Sequence, residues 1–218
     1  MSSRNADSIQ LDIYSDLICP WCYVGKARLD AALETLGPSK KINIQWKPFQ
    51  LNPNMPTEGM ERSQYMLKKF GTSDVSAMQA RLSAAGAENG LVFNFASMKR
   101  VPNTFSAHRL LWFALKDDKQ HALSAVLFRK YFHDGLDIGE TETLVDAATE
   151  AGLDGTAARN FLVGKDGCES VEKEEKEGRL LGINAVPTFI VNGDIIASGA
   201  IPAAELVCAI EAAATLAK

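Results

Sequence analysis

The sequence predicts an α/β protein with a strand–helix–strand unit near its start, a strand–strand–helix unit near its end, and a long all-helical segment between them. Three observations predict this order. Apolar and polar residues alternate near both ends of the chain, leucines recur at helical spacing between the first two strands, and the middle is rich in Ala, Leu, Glu and Lys at helical period. With 218 residues, 46% of them hydrophobic, the chain can form one large domain or two small ones around a substantial core.

The first fifty residues predict two strands joined by a helix. Apolar residues alternate with polar ones at Ile9, Leu11 and Ile13, and again at Ile42, Ile44 and Trp46. Between these segments Pro20 suits the first position of a helix, Leu29, Leu33 and Leu36 form one apolar stripe, and Gly37 suits its end. A strand–helix–strand unit of this length predicts two parallel strands with a right-handed crossover.

The segment 57–181 is predicted to be an all-helical insertion domain, and residues 1–56 and 182–218 to form the domain that it interrupts. The charged run 172–177 mixes signs at helical spacing, which is typical of a solvated helix face. The helices are predicted near residues 63–70, 75–88, 103–116, 121–132, 142–151, 155–161 and 168–181.

The end of the chain predicts a hairpin and a last helix. Residues 188–191 and 195–197 read as strands, and Asn192 followed by Gly193 between them is typical of a type I′ turn. Pro202 then opens a helix whose apolar face carries Leu206, Ile210 and Ala213. The complete order of elements is that of a thioredoxin fold with an all-helical domain placed between its halves.

Composition excludes several classes of function. A net charge of −4, a pI near 5.5 and the lack of a Lys/Arg cluster argue against nucleic acid as a partner. No apolar run approaches the ~18 residues of a membrane span, and residues 1–8 run into the first strand without an apolar signal region. We therefore expect a cytoplasmic protein without a membrane partner.

The main chemical feature is the sequence Cys19-Pro20-Trp21-Cys22. Stepping about 100° per residue from Leu29 places Cys22 near the centre of the buried stripe, and leaves Cys19 at the cap position, at an exposed helix tip. Free N–H groups and the positive end of the helix dipole favour a thiolate there. We therefore predict that Cys19 is the attacking sulfur, with a lowered pKa, and that Cys22 closes the disulfide.

A zinc site is the main alternative for this pair. Zinc would need a second pair of ligands at comparable spacing, and Cys168, Cys208 and the three histidines do not supply one. We predict no metal, and we expect Cys168 and Cys208 to be buried small apolar residues.

A proline far along the chain belongs to the same predicted region. Pro187 starts a strand, where a cis bond is plausible and a trans bond is tolerated. In the predicted arrangement this turn returns beside the helix that carries Cys19.

Three segments together resemble the DsbA family of thioredoxin-like proteins, in its FrnE-like branch. They are SDLICPWCYVGK at 15–26, PNTFSAHRL at 102–110 and GINAVPTF at 182–189. The resemblance implies a cis bond before Pro187, next to the dithiol, and a thiol-disulfide oxidoreductase or isomerase without a bound cofactor. Its partners would be thiol- or disulfide-containing proteins or peptides, with glutathione as a candidate co-substrate.

The resemblance extends to a sister branch, the kappa-class glutathione transferases and 2-hydroxychromene-2-carboxylate isomerases. Those proteins carry serine at the position of Cys19, so cysteine here favours dithiol exchange. A glutathione-dependent isomerase or transferase stays open as an alternative, as does a chaperone-like binding module. Some FrnE-like proteins have a further cysteine pair, whereas this chain has only the single Cys168 and Cys208.

Charged residues near the dithiol are candidates for tuning its pKa. Asp16 precedes the motif and should disfavour a thiolate at Cys19, while Lys26 lies one turn into the helix and should favour it. Each also has a purely structural interpretation: Asp16 as a polar residue that precedes a helix, and Lys26 as a side chain whose aliphatic part packs on the helix surface.

Five further residues are candidates for substrate binding. Trp21 could pack on substrate or shield the disulfide, and Val186 could offer its backbone to an extended peptide while Pro187 limits access to Cys19. Asn103 is predicted to cap a helix that carries His108, and that helix is expected to line one wall of a partly apolar groove over the dithiol. The structural alternative is a buried histidine, with Trp112 and Phe113 of the same helix in the core of the insertion.

Overall fold

A four-stranded mixed sheet forms one part of the computed structural model, which describes residues 8–216. Strand β1 (Ser8–Ser15) runs parallel to β2 (Lys41–Pro48) and antiparallel to β5 (Thr188–Val191), which pairs antiparallel with β6 (Asp194–Ser198). The strand order is therefore β2-β1-β5-β6. The predicted parallel pair and the predicted hairpin are both confirmed, with positive φ at the two turn residues between β5 and β6.

Two helices of the sheet domain pack against each other. Helix α1 (Pro20–Leu36) begins after Cys19 and ends at Gly37, whose φ of 70° suits a residue without a side chain. Helix α9 (Ala203–Leu216) begins one residue later than predicted, because Pro202 contributes only its carbonyl, which accepts the N–H of Leu206.

Seven helices lie between the two halves of the sheet, as predicted, and their ends differ from the predicted ones by no more than two residues. A short 3₁₀ turn, Leu115–Asp117, extends the third of them. The helices are α2 (Arg62–Phe70), α3 (Ser76–Ala87), α4 (Phe105–Ala114), α5 (Gln120–Phe132), α6 (Thr141–Glu150), α7 (Gly155–Val163) and α8 (Cys168–Leu180).

The intervening segment is not purely helical. Two short strands, β3 (Met60–Glu61) and β4 (Arg100–Val101), pair antiparallel, and the N–H of Arg62 donates to the carbonyl of Lys99 next to them. A strand of two residues is too short to show period-two alternation, so sequence patterning could not reveal this ladder.

The charged run on α8 is only partly solvated, which corrects the prediction of a solvated face. Glu175 is buried and accepts the backbone N–H of Gln50 at 3.0 Å and the guanidinium of Arg179 at 2.7 Å. Glu174 pairs with Lys47 of β2 at 3.0 Å. One face of α8 therefore lies against the end of β2, and two carboxylates of the run fix that contact.

A continuous cluster of buried apolar side chains joins the sheet to the helices and reaches from Leu11 to Ile210. Trp112 and Phe113 lie at its edge, half-buried, and both pack on Phe161. The division into a sheet domain and an insertion domain stays a prediction.

No helix within residues 8–216 is long and apolar enough to cross a membrane. The prediction that no signal region precedes the first strand concerns residues 1–7, which lie outside the described residues.

Candidate functional site

The two cysteines of the motif are both buried thiols at the start of α1. Cys19 is the residue before the first helical one, with φ −84° and ψ 114°, and its carbonyl accepts the N–H groups of Cys22 and Tyr23. Only 6% of Cys19 and 1% of Cys22 is exposed to solvent. The prediction that Cys19 lies at an exposed helix tip is therefore wrong.

Cys19 is covered from the other end of the chain. Its sulfur lies 3.7 Å from the carbonyl oxygen of Val186, which accepts from the thiol. The bond between Val186 and Pro187 is cis, as expected, and the N–H of Gly199 donates to the carbonyl of Pro187 at 2.7 Å. The loop before β5 thus forms a cover over the sulfur, and helix position alone could not show this.

The two thiols have opposite pKa shifts. A hydrogen bond from the Cys22 thiol lowers the pKa of Cys19, and the backbone N–H groups of Cys22 and Trp21 add to this, against burial and the charge of Asp16. Burial raises the pKa of Cys22 well above its ordinary value, and the neighbouring Cys19 adds to that shift. The predicted inequality of the two sulfurs is therefore present: the Cys22 thiol is the largest cause of the lowered pKa of Cys19, and burial is the largest cause of the raised pKa of Cys22.

Asp16 and His108 form a buried pair next to the dithiol. Asp16 is fully buried, and one carboxylate oxygen accepts the N–H of Leu51 at 2.7 Å. The other oxygen lies 3.6 Å from Nε2 of His108, and the Asp16 carbonyl accepts the N–H of Cys19 at 3.0 Å. Within the described chain, the buried Nε2 of His108 has no hydrogen-bond partner.

The placement of His108 corrects the expectation that its helix lines a groove over the dithiol. Helix α4 packs against β2, α5, α7 and α8, so the side of the helix that carries His108 faces the protein interior. Only 3% of this residue is exposed.

Asn103 lies one residue before the cap of α4, which is Thr104. Its side-chain oxygen accepts the N–H of Phe105 at 2.9 Å, and its amide nitrogen donates to the carbonyl of Met55 at 2.7 Å. Asn103 therefore joins the start of α4 to the loop between β2 and β3, and it lies one residue before the cap position that the sequence predicted for it.

Lys26 directs its ammonium group to Asp30, at 2.7 Å, and Asp30 also contacts Nε2 of His121 at 2.8 Å. The largest effects on the pKa values of Cys19 and Cys22 come from other groups. Lys26 therefore forms an ion pair between successive turns of α1, and its tuning of the dithiol stays a prediction.

An apolar cleft opens beside the dithiol, against α2 and α3 instead of α4. It has a volume of about 130 Å³, and Ile18 and Pro20 form the end nearest the cysteines. A second hollow of about 360 Å³ continues from it along α2. Trp21, with 36% of its surface exposed, follows Pro20 in the chain. The residues that line the cleft from the helical segment include Arg62, Tyr65, Met66, Lys69, Phe70, Met78, Leu82, Phe95, Met98 and Tyr131.

Sequence patterning did not single out these cleft residues. Helix α2 carries Tyr65, Met66, Leu67 and Phe70, yet within the described chain none of its own residues is buried. Helix α2 also carries Arg62, Lys68 and Lys69, so its sequence is that of an ordinary amphipathic helix, and only a structure shows that its apolar face is not buried.

The other two cysteines correct a prediction, because neither is fully buried. Cys168 is half-buried at the start of α8, and Cys208 is exposed on α9. Leu206 and Ile210 occupy the inner face of α9, so Cys208, two residues from each, falls on the outer face. Among residues 8–216, no three His, Cys, Asp or Glu side chains are grouped as metal ligands.

Comparison with known proteins gives one family. The family model described as the DSBA-like thioredoxin domain matches residues 10–211. The chain is 28% identical over 195 residues to YwbO of Bacillus subtilis, described as uncharacterized, which covers 88% of this chain and 91% of that protein.

Solved structures agree with this match. The crystal structure of a protein described as the probable DsbA oxidoreductase SCO1869, from Streptomyces coelicolor, has a TM-score of 0.84 and 30% identity, and the alignment covers 94% of this chain and 89% of that one. The cytosolic disulfide reductase DsbM from Pseudomonas aeruginosa, solved with GSH, has a TM-score of 0.64 and 16% identity, and covers 95% and 96% of the two chains. The second similarity is one of fold alone.

Proposed function

Because the chain belongs to the DsbA-like thioredoxin domain family, we propose that it is a thiol-disulfide oxidoreductase and that Cys19 and Cys22 are its redox pair. One observation carries the proposal: Cys19 and Cys22 are two buried free thiols at the start of α1 with opposite pKa shifts. Interaction with Cys22 lowers the pKa of Cys19, whereas burial, with a contribution from Cys19, raises the pKa of Cys22. Exchange needs such an inequality, because one sulfur must attack as a thiolate while the other keeps its proton until the second step.

The reaction on a substrate disulfide proceeds in two exchanges. The Cys19 thiolate attacks one substrate sulfur, the substrate S–S bond breaks, and the other substrate sulfur leaves as a thiolate. Cys22 then loses its proton and attacks Cys19, which releases the second substrate sulfur and forms the Cys19–Cys22 disulfide. Two electrons pass from the dithiol to the substrate, and the reverse sequence oxidises a substrate dithiol. The sulfur atoms carry the electrons, so the reaction requires no bound cofactor.

We propose that an extended segment of a protein or peptide binds next to Cys19. In the free protein the carbonyl of Val186 accepts from the Cys19 thiol. Once Cys19 is in a mixed disulfide it has no thiol hydrogen, so this carbonyl is free to accept a backbone N–H of the substrate. Trp21 and the cleft along α2 supply apolar surface beside the same sulfur, and their contacts do not require a particular substrate sequence.

We propose that the protein acts in the cytoplasm as a reductase or isomerase. Thiols are kept reduced there, which favours electron flow from the dithiol to substrates. Glutathione is the proposed co-substrate that reduces the Cys19–Cys22 disulfide again, and the fold similarity to the reductase DsbM solved with GSH supports this choice.

Reduction of insulin disulfides tests the proposal. The reduced protein should accelerate insulin reduction in the presence of glutathione, and Cys19→Ser should abolish the acceleration. Cys208→Ser, which removes an exposed thiol on α9, is the matched control and should retain full activity. Glutathione binding with isomerase or transferase turnover but no insulin reduction would favour the glutathione-dependent alternative. Binding of unfolded protein without either reaction would favour a chaperone-like module.

A further inference from the structure

The buried Nε2 of His108 is aimed at the carboxylate of Asp16 without a hydrogen bond between them. We propose that His108 is a positioning residue that takes up a proton when Cys19 becomes a thiolate, and so offsets the charge of Asp16. This inference rests on the proposed function of the dithiol, and it adds a residue from α4 to the groups that control Cys19.

The geometry places three groups in one buried cluster. Asp16 is 0% and His108 3% exposed, and Cys19 is 6% exposed. The N–H of Cys19 donates to the carbonyl of Asp16, and the charge of Asp16 raises the pKa of Cys19. One carboxylate oxygen of Asp16 accepts the N–H of Leu51 at 2.7 Å. The other lies 3.6 Å from Nε2 of His108 and also accepts the N–H of Ile18, in a long contact of 3.5 Å.

The separation of 3.6 Å between Nε2 and the Asp16 oxygen is longer than a hydrogen bond. An unpaired buried nitrogen costs free energy, and nothing else in the described chain satisfies it. In the imidazolium, which carries a proton on both nitrogens, the contact would become a charge-assisted hydrogen bond, which is ordinarily about 2.7–2.9 Å long. A small movement of the imidazole is enough to close the gap.

The charge balance of the cluster explains why loss of a proton from Cys19 would be coupled to uptake of a proton by His108. With Cys19 as a thiol, the cluster holds one negative charge, on Asp16. A Cys19 thiolate alone would raise this to two negative charges in a buried site, which is costly. If the proton that leaves Cys19 is matched by one bound by the imidazole of His108, the net charge of the cluster does not change.

Most charged groups near the cluster are already paired or neutral. The exception is Arg62 at the start of α2, which lies near Tyr131 and whose buried Nε has no hydrogen-bond partner in the described chain. From α5, Tyr131 faces Asp16, and burial raises its pKa, so it stays a neutral phenol. From α8, Glu175 is paired with Arg179, and from β2, Lys47 is paired with Glu174. On α4 itself, the guanidinium of Arg109 donates to four backbone carbonyls at the end of α7 and the loop after it, those of Phe161, Leu162, Gly164 and Asp166.

Alkylation of Cys19 across pH measures this coupling without any turnover. His108→Gln cannot take the proton, so the rate at neutral pH should fall on the order of tenfold and the midpoint should move to higher pH. Asp16→Asn removes the opposing charge and should move the midpoint to lower pH. In the Asp16→Asn background, His108→Gln should then have almost no effect, because its partner charge is gone. His133→Gln, which alters an exposed histidine paired with Asp134, is the matched control.

A spectroscopic measurement keeps the proposal testable if His108→Gln does not fold. Imidazole ¹H–¹⁵N spectra should show His108 protonated on both nitrogens up to a higher pH in the reduced protein than in Cys19→Ser, which forms no thiolate. Equal protonation in the two proteins would overturn the inference, as would a His108→Gln effect of the same size with and without Asp16. Failure of the disulfide to form would contradict the proposed function and leave the alkylation result unaffected.

Discussion

The sulfur of Cys19 lies 3.7 Å from the carbonyl oxygen of Val186, a residue 167 positions further along the chain. This contact joins the start of α1 to the loop before β5, so the proposed attacking sulfur lies between segments from the two ends of the chain. It keeps Cys19 away from solvent in the free protein, and it leaves a backbone acceptor free when the sulfur forms a bond to substrate.

Cys22→Ser should trap substrates as mixed disulfides with Cys19. The serine cannot attack the Cys19–substrate bond, so the complex persists until an external thiol reduces it. Adducts detected on non-reducing gels should be abundant for Cys22→Ser and absent for Cys19→Ser. Equal trapping by the two variants would show that the roles of the cysteines are assigned wrongly.

The pH profile of alkylation should separate the two thiols. The lowered pKa of Cys19 means that its thiolate persists below the ordinary thiol value of 9.0, whereas Cys22 should react only above that value. Mass spectrometry of the alkylated peptides gives both profiles in one experiment. A Cys19 midpoint at or above 9.0 would contradict the account.

The same two pKa shifts determine how the free energy of unfolding changes with pH. Cys19 has a lower pKa when folded, so it binds fewer protons than in the unfolded chain, and its contribution is present above pH 9.0 and lost as the pH falls through its folded pKa. Cys22 has a raised pKa, so its contribution is present below pH 9.0 and lost at higher pH. Denaturant unfolding of the reduced protein against Cys19→Ser and Cys22→Ser measures the two contributions.

Gly25→Ala should disturb the site by displacing Pro187 in the loop before β5. A Cβ at Gly25 would lie 2.7 Å from Cγ of Pro187, which is too close for either group to remain in place. We expect a loss of about 1–3 kcal/mol in the free energy of unfolding, together with a slower reaction of Cys19, because the cover over its sulfur must shift. Gly164→Ala is the control, since its Cβ would meet nothing nearer than 3.6 Å. Equal stability of the two variants would contradict the close packing of α1 on Pro187.

Trp21→Ala should weaken the reaction with protein disulfides more than the reaction with small reagents. Trp21 is a large aromatic side chain with 36% of its surface exposed beside the dithiol, and such residues carry much of the energy of binding surfaces. We expect kcat/KM for insulin to fall about tenfold and alkylation of Cys19 to change by less than about twofold. Val163→Ala, at an exposed apolar position on α7, should leave both unchanged. A parallel fall in both rates would mean that Trp21 acts on the sulfur and not on the substrate.

Most of the features that the sequence predicts correctly are local, although the parallel pairing of β1 with β2 is not. The helix after Pro20, the hairpin at Asn192 and Gly193, and the unequal cysteines all depend on residues within a few positions of one another. The outward position of Cys208 could also have been predicted, because it lies two residues from both Leu206 and Ile210 on the same helix.

The features that sequence patterning missed depend on contacts between distant segments. Cys19 is buried because Val186 covers it, and Glu175 is buried because α8 meets the backbone of Gln50. The Asp16–His108 contact joins a loop of the sheet domain to α4. Helical or strand periodicity reports which face of an element is apolar, and does not report which element covers it.

A redox titration of the protein in glutathione buffers of varied ratio tests the central claim most directly, with peptide mass spectrometry to identify each cysteine's partner. The account predicts one two-electron transition that converts the Cys19 and Cys22 thiols into an intramolecular disulfide, while Cys168 and Cys208 do not enter it. A protein whose Cys19 and Cys22 stay reduced across the whole range, or whose Cys19 ends as a stable mixed disulfide with glutathione while Cys22 remains a thiol, would contradict it.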